Sequence, residues 1–234
     1  EIMPHLEGKS HLIIIPDGPV AMVPFVALPY KEGALIDSFD SDPGMNMPYN
    51  PPYYAELLES YGLTKTKDLW QWYLSTNTPI PEKVVRISEK IRQRNKVVVR
   101  SMDLSQWDAE IARVIDIYND AWDNNWGFVP VAEKEFRHIA ADLKMVVRPE
   151  LALMAEVDGE PVAFSITIMN INPILKKIDG KLFPFGLLRL LWDLKVRPKV
   201  HDCRLIVLGI KEGYRRRGID SILFVETHKA AASL

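Results

Sequence analysis

The sequence predicts an α+β (mixed α/β) fold, a central mixed sheet flanked by helices, and three observations carry that prediction. Leu151–Val157 and Pro161–Met169 are apolar runs joined through Asp158-Gly159, a dipeptide whose two positions tolerate the positive φ of a two-residue hairpin. Trp107, Ile111, Val114, Ile115, Tyr118 and Trp122 recur at helical spacing, as do Phe136, Ile139, Ala140 and Leu143. Cys203–Ile210 is an apolar run that ends in a Gly/Arg turn and then an amphipathic segment. From Lys96 the order reads β-α-α-β-β-(insertion)-β-α, the pattern of helices packed on a hairpin-containing sheet.

The elements follow in chain order. His11–Ile15 is β-branched and apolar, Asp17-Gly18-Pro19 marks a turn, and Val20–Leu28 is a second run broken by Pro24. Asp37–Asn50 is rich in Ser, Asp, Pro and Gly and reads as loop. Asn50-Pro51-Pro52 opens a helix, with Asn as the cap and Pro tolerated in the first turn. Its apolar positions are Tyr54, Leu57, Leu58 and Tyr61, and Gly62 is the stop. Leu69–Leu74 has strand character. Pro79–Asn95 reads as a basic helix with Val84, Ile87 and Ile91 on one face, its cations solvated. Lys96–Met102 is a strand, and Ser105 with Asp108 forms a capping box for the next helix. Glu133–Lys144 is a further helix. Asn172–Pro198 is an apolar insertion punctuated by Lys and Arg. Its Phe183–Trp192 stretch covers the sheet or docks on a membrane surface or partner.

Composition bounds the function. The 234 residues are 47% hydrophobic and 26% charged, ordinary for a globular chain and unlike collagen, coiled coil or a disordered tail. With 29 Lys+Arg against 31 Asp+Glu the net charge is −2, so no global basic field exists for nucleic acid. The single cysteine, Cys203, excludes an internal disulfide and a Cys-based zinc site. On a strand it reads as a small buried hydrophobe. The five histidines show no i, i+4 pair, and no metal is expected. No signal peptide and no run of about 20 apolar residues is visible, so a cytoplasmic setting without a membrane partner is expected.

The most informative stretch is LIVLGIKEGYRRRGIDSILF, Leu205–Phe224. Strand, turn and helix in that order present backbone N–H groups at a helix start, an anion site to which Arg215, Arg216 and Arg217 add phosphate donors. A solvated turn is the plain alternative. The stretch lacks both the Gly-Lys-Ser/Thr of a Walker loop and the Gly-x-Gly-x-x-Gly of a dinucleotide turn.

Arg215-Arg216-Arg217-Gly218-Ile219-Asp220, preceded by Tyr214, resembles motif A of the GNAT N-acetyltransferases, Arg/Gln-x-x-Gly-x-Gly/Ala. It matches in the first and fourth positions and departs at Asp220, where the family prefers a small residue. The resemblance covers residues 96–234, described as an acyl-CoA-binding domain that lacks the family's last strands. Residues 34–95, through Tyr53, Tyr54 and Tyr73, resemble the tail of another GNAT unit plus a linker helix, as in tandem members. Residues 1–33 are a strand-rich fragment in which His11–Pro29 resembles a strand pair of CHAT caspase-like domains.

The resemblance implies acetyl transfer from acetyl-CoA, as cosubstrate, to an amine by direct attack. The cofactor would lie on Leu208, Gly209, Ile210, Arg215, Arg216, Arg217, Gly218, Ile219, Asp220 and Ser221. The acceptor, a small amine or peptide, would meet Trp122, Asn125, Trp126 and Phe128; otherwise Trp122, Trp126 and Phe128 pack the core edge and Asn125 forms a turn. No catalytic residue is assigned. Glu156, Glu160 and Asp202 are candidate bases, and Tyr53, Tyr54 or Tyr61 a substitute acid. Two other readings stand beside this one: a truncated, non-catalytic GNAT-like module, and a fragment of a caspase-like peptidase fusion. Association into homo-oligomers is compatible with all three.

Overall fold

The computed structural model describes residues 8–13, 34–122, 132–144, 147–196, 200 and 202–233. The chain forms two compact units, Glu1–Ser75 and Thr76–Leu234. The architecture is α+β, as the sequence predicts.

In the first unit, β1 (Gly8–Ile13) lies between β2 (Ala34–Leu35) and β3 (Lys67–Trp72), both antiparallel to it. The register sets His11 opposite both Leu35 and Leu69. Helix α1 (Tyr54–Ser60) buries Leu58 against Ala34. It stops as expected: Gly62 at φ 96° donates to the Glu59 carbonyl and Leu63 to that of Leu58. The start of α1 differs from the expectation. Asn50 caps nothing. Its Oδ1 accepts from the Leu35 N–H at 2.6 Å and its Nδ2 donates to the Leu35 carbonyl at 3.1 Å, so a buried amide takes the place of a strand partner for β2. The expected second run, Val20–Leu28, lies outside the described residues.

The second unit holds α2 (Glu82–Arg94), β4 (Val97–Ser101), α3 (Trp107–Trp122), α4 (Glu133–Leu143), β5 (Val147–Val157) and β6 (Glu160–Met169). Beyond the insertion with α5 (Asn172–Lys177) and α6 (Gly186–Leu191) come β7 (Cys203–Ile210) and α7 (Ile219–Ala232). The sheet order is β4-β5-β6-β7, with every pairing antiparallel. Asp158 (φ 50°) and Gly159 (φ 83°) make the β5–β6 turn with both central residues at positive φ, as expected.

Side-chain alternation on the sheet feeds two apolar layers. Val97, Leu153, Ala155, Val162 and Ala163 pack under Ile219, Ile222 and Leu223 of α7. Met154, Ala152 and Phe164 pack under Val114 and Ile117 of α3, with Tyr118, Trp122 and Phe136 alongside. Helix α2, read from sequence as a solvated basic helix or linker, lies against α7 and β4. There Arg92 pairs with Glu226 at 2.7 Å. Its inward line runs through Val84, the buried Ser88 and Ile91, while Ile87 is exposed, because the helix rests on α7 through the i, i+4, i+7 row. The capping expectation for α3 is also corrected. Asp103, not Ser105, is the acceptor: its Oδ1 takes the Ser105 N–H at 2.9 Å and the Ser105 hydroxyl at 2.6 Å, through a short 3-10 turn at Leu104–Gln106. Those hydrogen bonds, chiefly that of the Ser105 hydroxyl, hold the Asp103 carboxyl below its ordinary value.

Candidate functional site

The turn between β7 and α7 is built as the sequence leads one to expect. Cys203–Ile210 is one strand, Glu212–Tyr214 forms a 3-10 turn, and α7 starts at Ile219. Gly218 is the N-cap at φ 78°, in the left-handed region. Having no side chain, it offers no side-chain acceptor to the first-turn amides of α7, and its carbonyl accepts from the Ser221 N–H at 3.1 Å. Ser221 turns its hydroxyl back onto the Gly218 carbonyl at 2.6 Å, and Asp220 is exposed in the first turn. The left-handed φ calls for glycine here, and a Cβ on Gly218 would in addition displace the terminal Cδ1 of Ile91 on α2.

The three arginines have three different surroundings. Arg215 donates to the main-chain carbonyl of Ala121, and the Glu212 N–H donates to the Asp120 carboxylate. Both bonds brace the turn on the last turn of α3, whose carbonyls lack intrahelical partners and favour a cation. Arg217 lies over the Tyr214 ring at 4.7 Å, and its carbonyl accepts from the Asn95 side chain at 3.2 Å. Arg216, exposed and at φ 59°, forms no hydrogen bond or ion pair with the described residues. Of the three arginines, Arg216 is therefore the one whose guanidinium has no hydrogen-bond, ion-pair or ring partner among the described residues.

Several acids near this turn are engaged. Lys211 reaches Asp116 at 2.9 Å and Glu160 at 3.1 Å. Burial pulls its ammonium pKa down, and these hydrogen bonds more than reverse that, leaving it above the ordinary value. The Tyr214 hydroxyl donates to Glu160 at 3.3 Å. Glu156 is held by Arg100 at 2.7 Å. Two of the three candidate bases thus sit in ion pairs. Asp202 is exposed beside β7, and its main-chain carbonyl accepts from the Asn170 N–H.

Leu208, Gly209 and Ile210 lie on the outer strand of the sheet among the described residues. Leu208 and Ile210 pack toward α7. Gly209 is buried under Trp122, where a Cβ would come within 2.5 Å of the indole and 2.8 Å of the Phe164 ring. Trp122 itself stacks on Tyr118 at 4.7 Å between centroids, which is the core-edge reading of that residue. Asn125, Trp126 and Phe128 lie outside the described residues. Cys203 is corrected: as a residue it is exposed rather than buried. Desolvation of its thiol, helped by the Asp202 charge, raises its pKa, so it is a poor thiolate.

Sequence reasoning missed one cluster. Glu110 of α3 is 2% exposed and receives Arg113 at 2.7 Å and Arg100 at 3.0 Å. Arg100 also holds Glu156, and these side chains line an open groove of about 350 Å³ with Asp103 and Gln106. Burial lowers the Arg100 pKa and the bonds to Glu156 and Glu110 outweigh it, so its value is raised. The signal was present: Glu110, Val114, Ile117 and Ala121 form one i, i+4, i+7, i+11 row, which places a carboxylate in the buried stripe.

No family model matches the chain. It is 34% identical over 208 residues to a protein of Caulobacter vibrioides (strain NA1000 / CB15N) named "Bacterial ceramide synthase", a match covering 89% of this chain and 52% of that protein. It is 33% identical over 194 residues to "Protein YghO" of Escherichia coli (strain K12), covering 82% and 49%. The name of the Caulobacter protein overturns the expected acetyl transfer from acetyl-CoA to a small amine or peptide. At 89% of the chain, the match takes in most of both compact units. The chain spans about half the length of the curated relatives it matches.

Proposed function

We propose that this chain is part of an enzyme that joins a long acyl group to the amine of a sphingoid base, giving a ceramide-type amide. One observation carries the reading: 34% identity across 89% of the chain to the Caulobacter protein named bacterial ceramide synthase. The turn at Arg215–Ser221 is compatible with it. An acyl donor activated as a thioester commonly rides on a phosphate-bearing carrier, and α7's uncapped amides with Arg216 suit phosphate oxygens. The GNAT resemblance of residues 96–234 supports an acyl-transfer scaffold of this kind, and Asp220 in the first turn would disfavour any anion placed directly beside it.

The test is a product assay. The chain, and separately a longer protein containing it, is incubated with sphinganine and either palmitoyl-CoA or acetyl-CoA, and amides are identified by mass spectrometry. We expect N-palmitoyl sphinganine, little N-acetyl product, and loss of product in Gly218→Glu protein that retains its fold. Folded longer protein that forms no long-chain amide, or that prefers acetyl-CoA, would overturn the reading.

A further inference from the structure

The insertion between β6 and β7 has two apolar sides, and only one is accounted for. Leu190 and Leu194 face inward, packed against Leu151, Met169, Ile174 and Val200 at the end of the sheet, with Ala230 and Ala231 of α7. This inner contact fixes α6 on the unit. On the outer side Phe183 is 89% exposed, Phe185 73%, Leu188 64% and Trp192 58%, with Leu187 and Leu191 also exposed. So many large apolar side chains crowded into ten residues are not the scattered exposure of an ordinary surface.

Charge identifies what covers them. Residues 172–199 contain seven Lys or Arg (176, 177, 181, 189, 195, 197 and 199) and two Asp (179 and 193), in a chain whose net charge is −2. Lys177 and Lys181 are exposed on the approach to the apolar stretch. Two phenylalanines and a tryptophan around exposed leucines, framed by cations, form the composition of a segment that rests in the headgroup layer. Helix α6 with its following turn, Gly186–Val196, is far shorter than a span, and no described helix is long and apolar enough to cross a membrane.

We infer that Leu182–Trp192 is an interfacial anchor that seats the second unit on an anionic lipid surface. This departs from the expectation of no membrane partner, and it stands on exposure and charge, independently of the reaction proposed above. Insertion of the aromatic and leucine side chains supplies the apolar part of the binding, and the surrounding cations supply a part that salt screens.

The experiment is flotation of the full chain with vesicles of phosphatidylcholine, alone or with about one-third phosphatidylglycerol, at low and raised salt. We expect flotation with the anionic vesicles, weakened by salt. Phe183→Ser/Phe185→Ser/Leu188→Ser should reduce the bound fraction on the order of tenfold. Lys177→Glu/Lys181→Glu should weaken binding and blunt its salt dependence. Circular dichroism and thermal melts matching the parent establish that both variants fold, as expected for exposed positions. Tyr61→Ser, an exposed aromatic of the first unit, should float like the parent. The inference is overturned if the parent ignores anionic vesicles, or if the triple Ser variant floats equally well. It is equally overturned if light scattering finds a dimer that the triple variant converts to monomer without any vesicle binding, since a second copy would then be what covers the patch.

Discussion

The Arg215 guanidinium, on the turn that leads into α7, donates a hydrogen bond to the main-chain carbonyl of Ala121 at the end of α3. A side chain that looks from sequence like a phosphate ligand is thus a brace between two elements. Arg215→Ala should cost about 1–2 kcal/mol, the range for a charge-assisted hydrogen bond whose carbonyl partner is left behind. Arg216→Ala should leave stability within about 0.5 kcal/mol, as at other surface positions, and weaken anion binding instead. Urea unfolding together with titration of a phosphate-bearing ligand separates the two effects. A reversed order of stability losses would show the brace to be unimportant.

Gly218 and Ile91 form a second testable pair. Gly218→Ala brings two costs, the left-handed φ and the collision with Ile91. The first is about 1 kcal/mol, and the second, as overpacking, about 1–3 kcal/mol. Ile91→Ala alone opens a gap and destabilises. In the double variant the collision is relieved, so the pair should couple favourably by roughly 0.5–3 kcal/mol. Strict additivity in a double-mutant cycle would mean that backbone strain alone fixes the glycine.

Glu110 sits between two guanidinium groups in a buried position. Glu110→Ala removes the acceptor that Arg100 and Arg113 share, although Arg100 keeps Glu156, and should destabilise by about 1–3 kcal/mol, the range for losing a hydrogen bond to a charged group. The partial exposure of both arginines places the effect toward the lower end. Glu110→Gln keeps the shape and one acceptor and should recover part of the loss. Chemical denaturation of both variants checks the order, and equal losses would point to packing rather than charge.

Asp103 makes the acid limb of the stability curve readable. Its folded pKa lies below the ordinary 3.8, chiefly because the Ser105 hydroxyl donates to it. Its contribution is therefore complete above that ordinary value and fades as pH falls through the lower folded value. Asp103→Ala should lower stability at neutral pH and show a shallower decline below about pH 4. An unchanged acid limb, followed by fluorescence-detected unfolding across pH, would remove the cap from the account.

Short-range chemistry was the legible part of this chain. The Asp158-Gly159 hairpin, the Gly62 stop and the Cys203–Ile210 strand with its glycine-capped helix each depend on residues within a few positions of one another. What was misread depends on partners far away in sequence. Ser88 replaces Ile87 on the packed face because α7 lies there, and Asn50 leaves the helix start because β2 needs its donor and acceptor. The arginine run shows the same limit at the candidate site. Three adjacent identical residues are equivalent as text, and only the positions of Ala121 and Tyr214 tell them apart.

The two-residue turn at Asp158-Gly159 also has a consequence for the order of assembly. It is the one place among the described strands of the second unit where neighbours in the sheet are neighbours in sequence, since β4 reaches β5 only after two helices and β6 reaches β7 only after the insertion. Closing the short hairpin sacrifices least chain entropy, while the two longer closures are repaid only once α3 and α7 dock on the strands. We expect the β5–β6 ribbon to close first in folding of the second unit, with β4 and β7 added from either side.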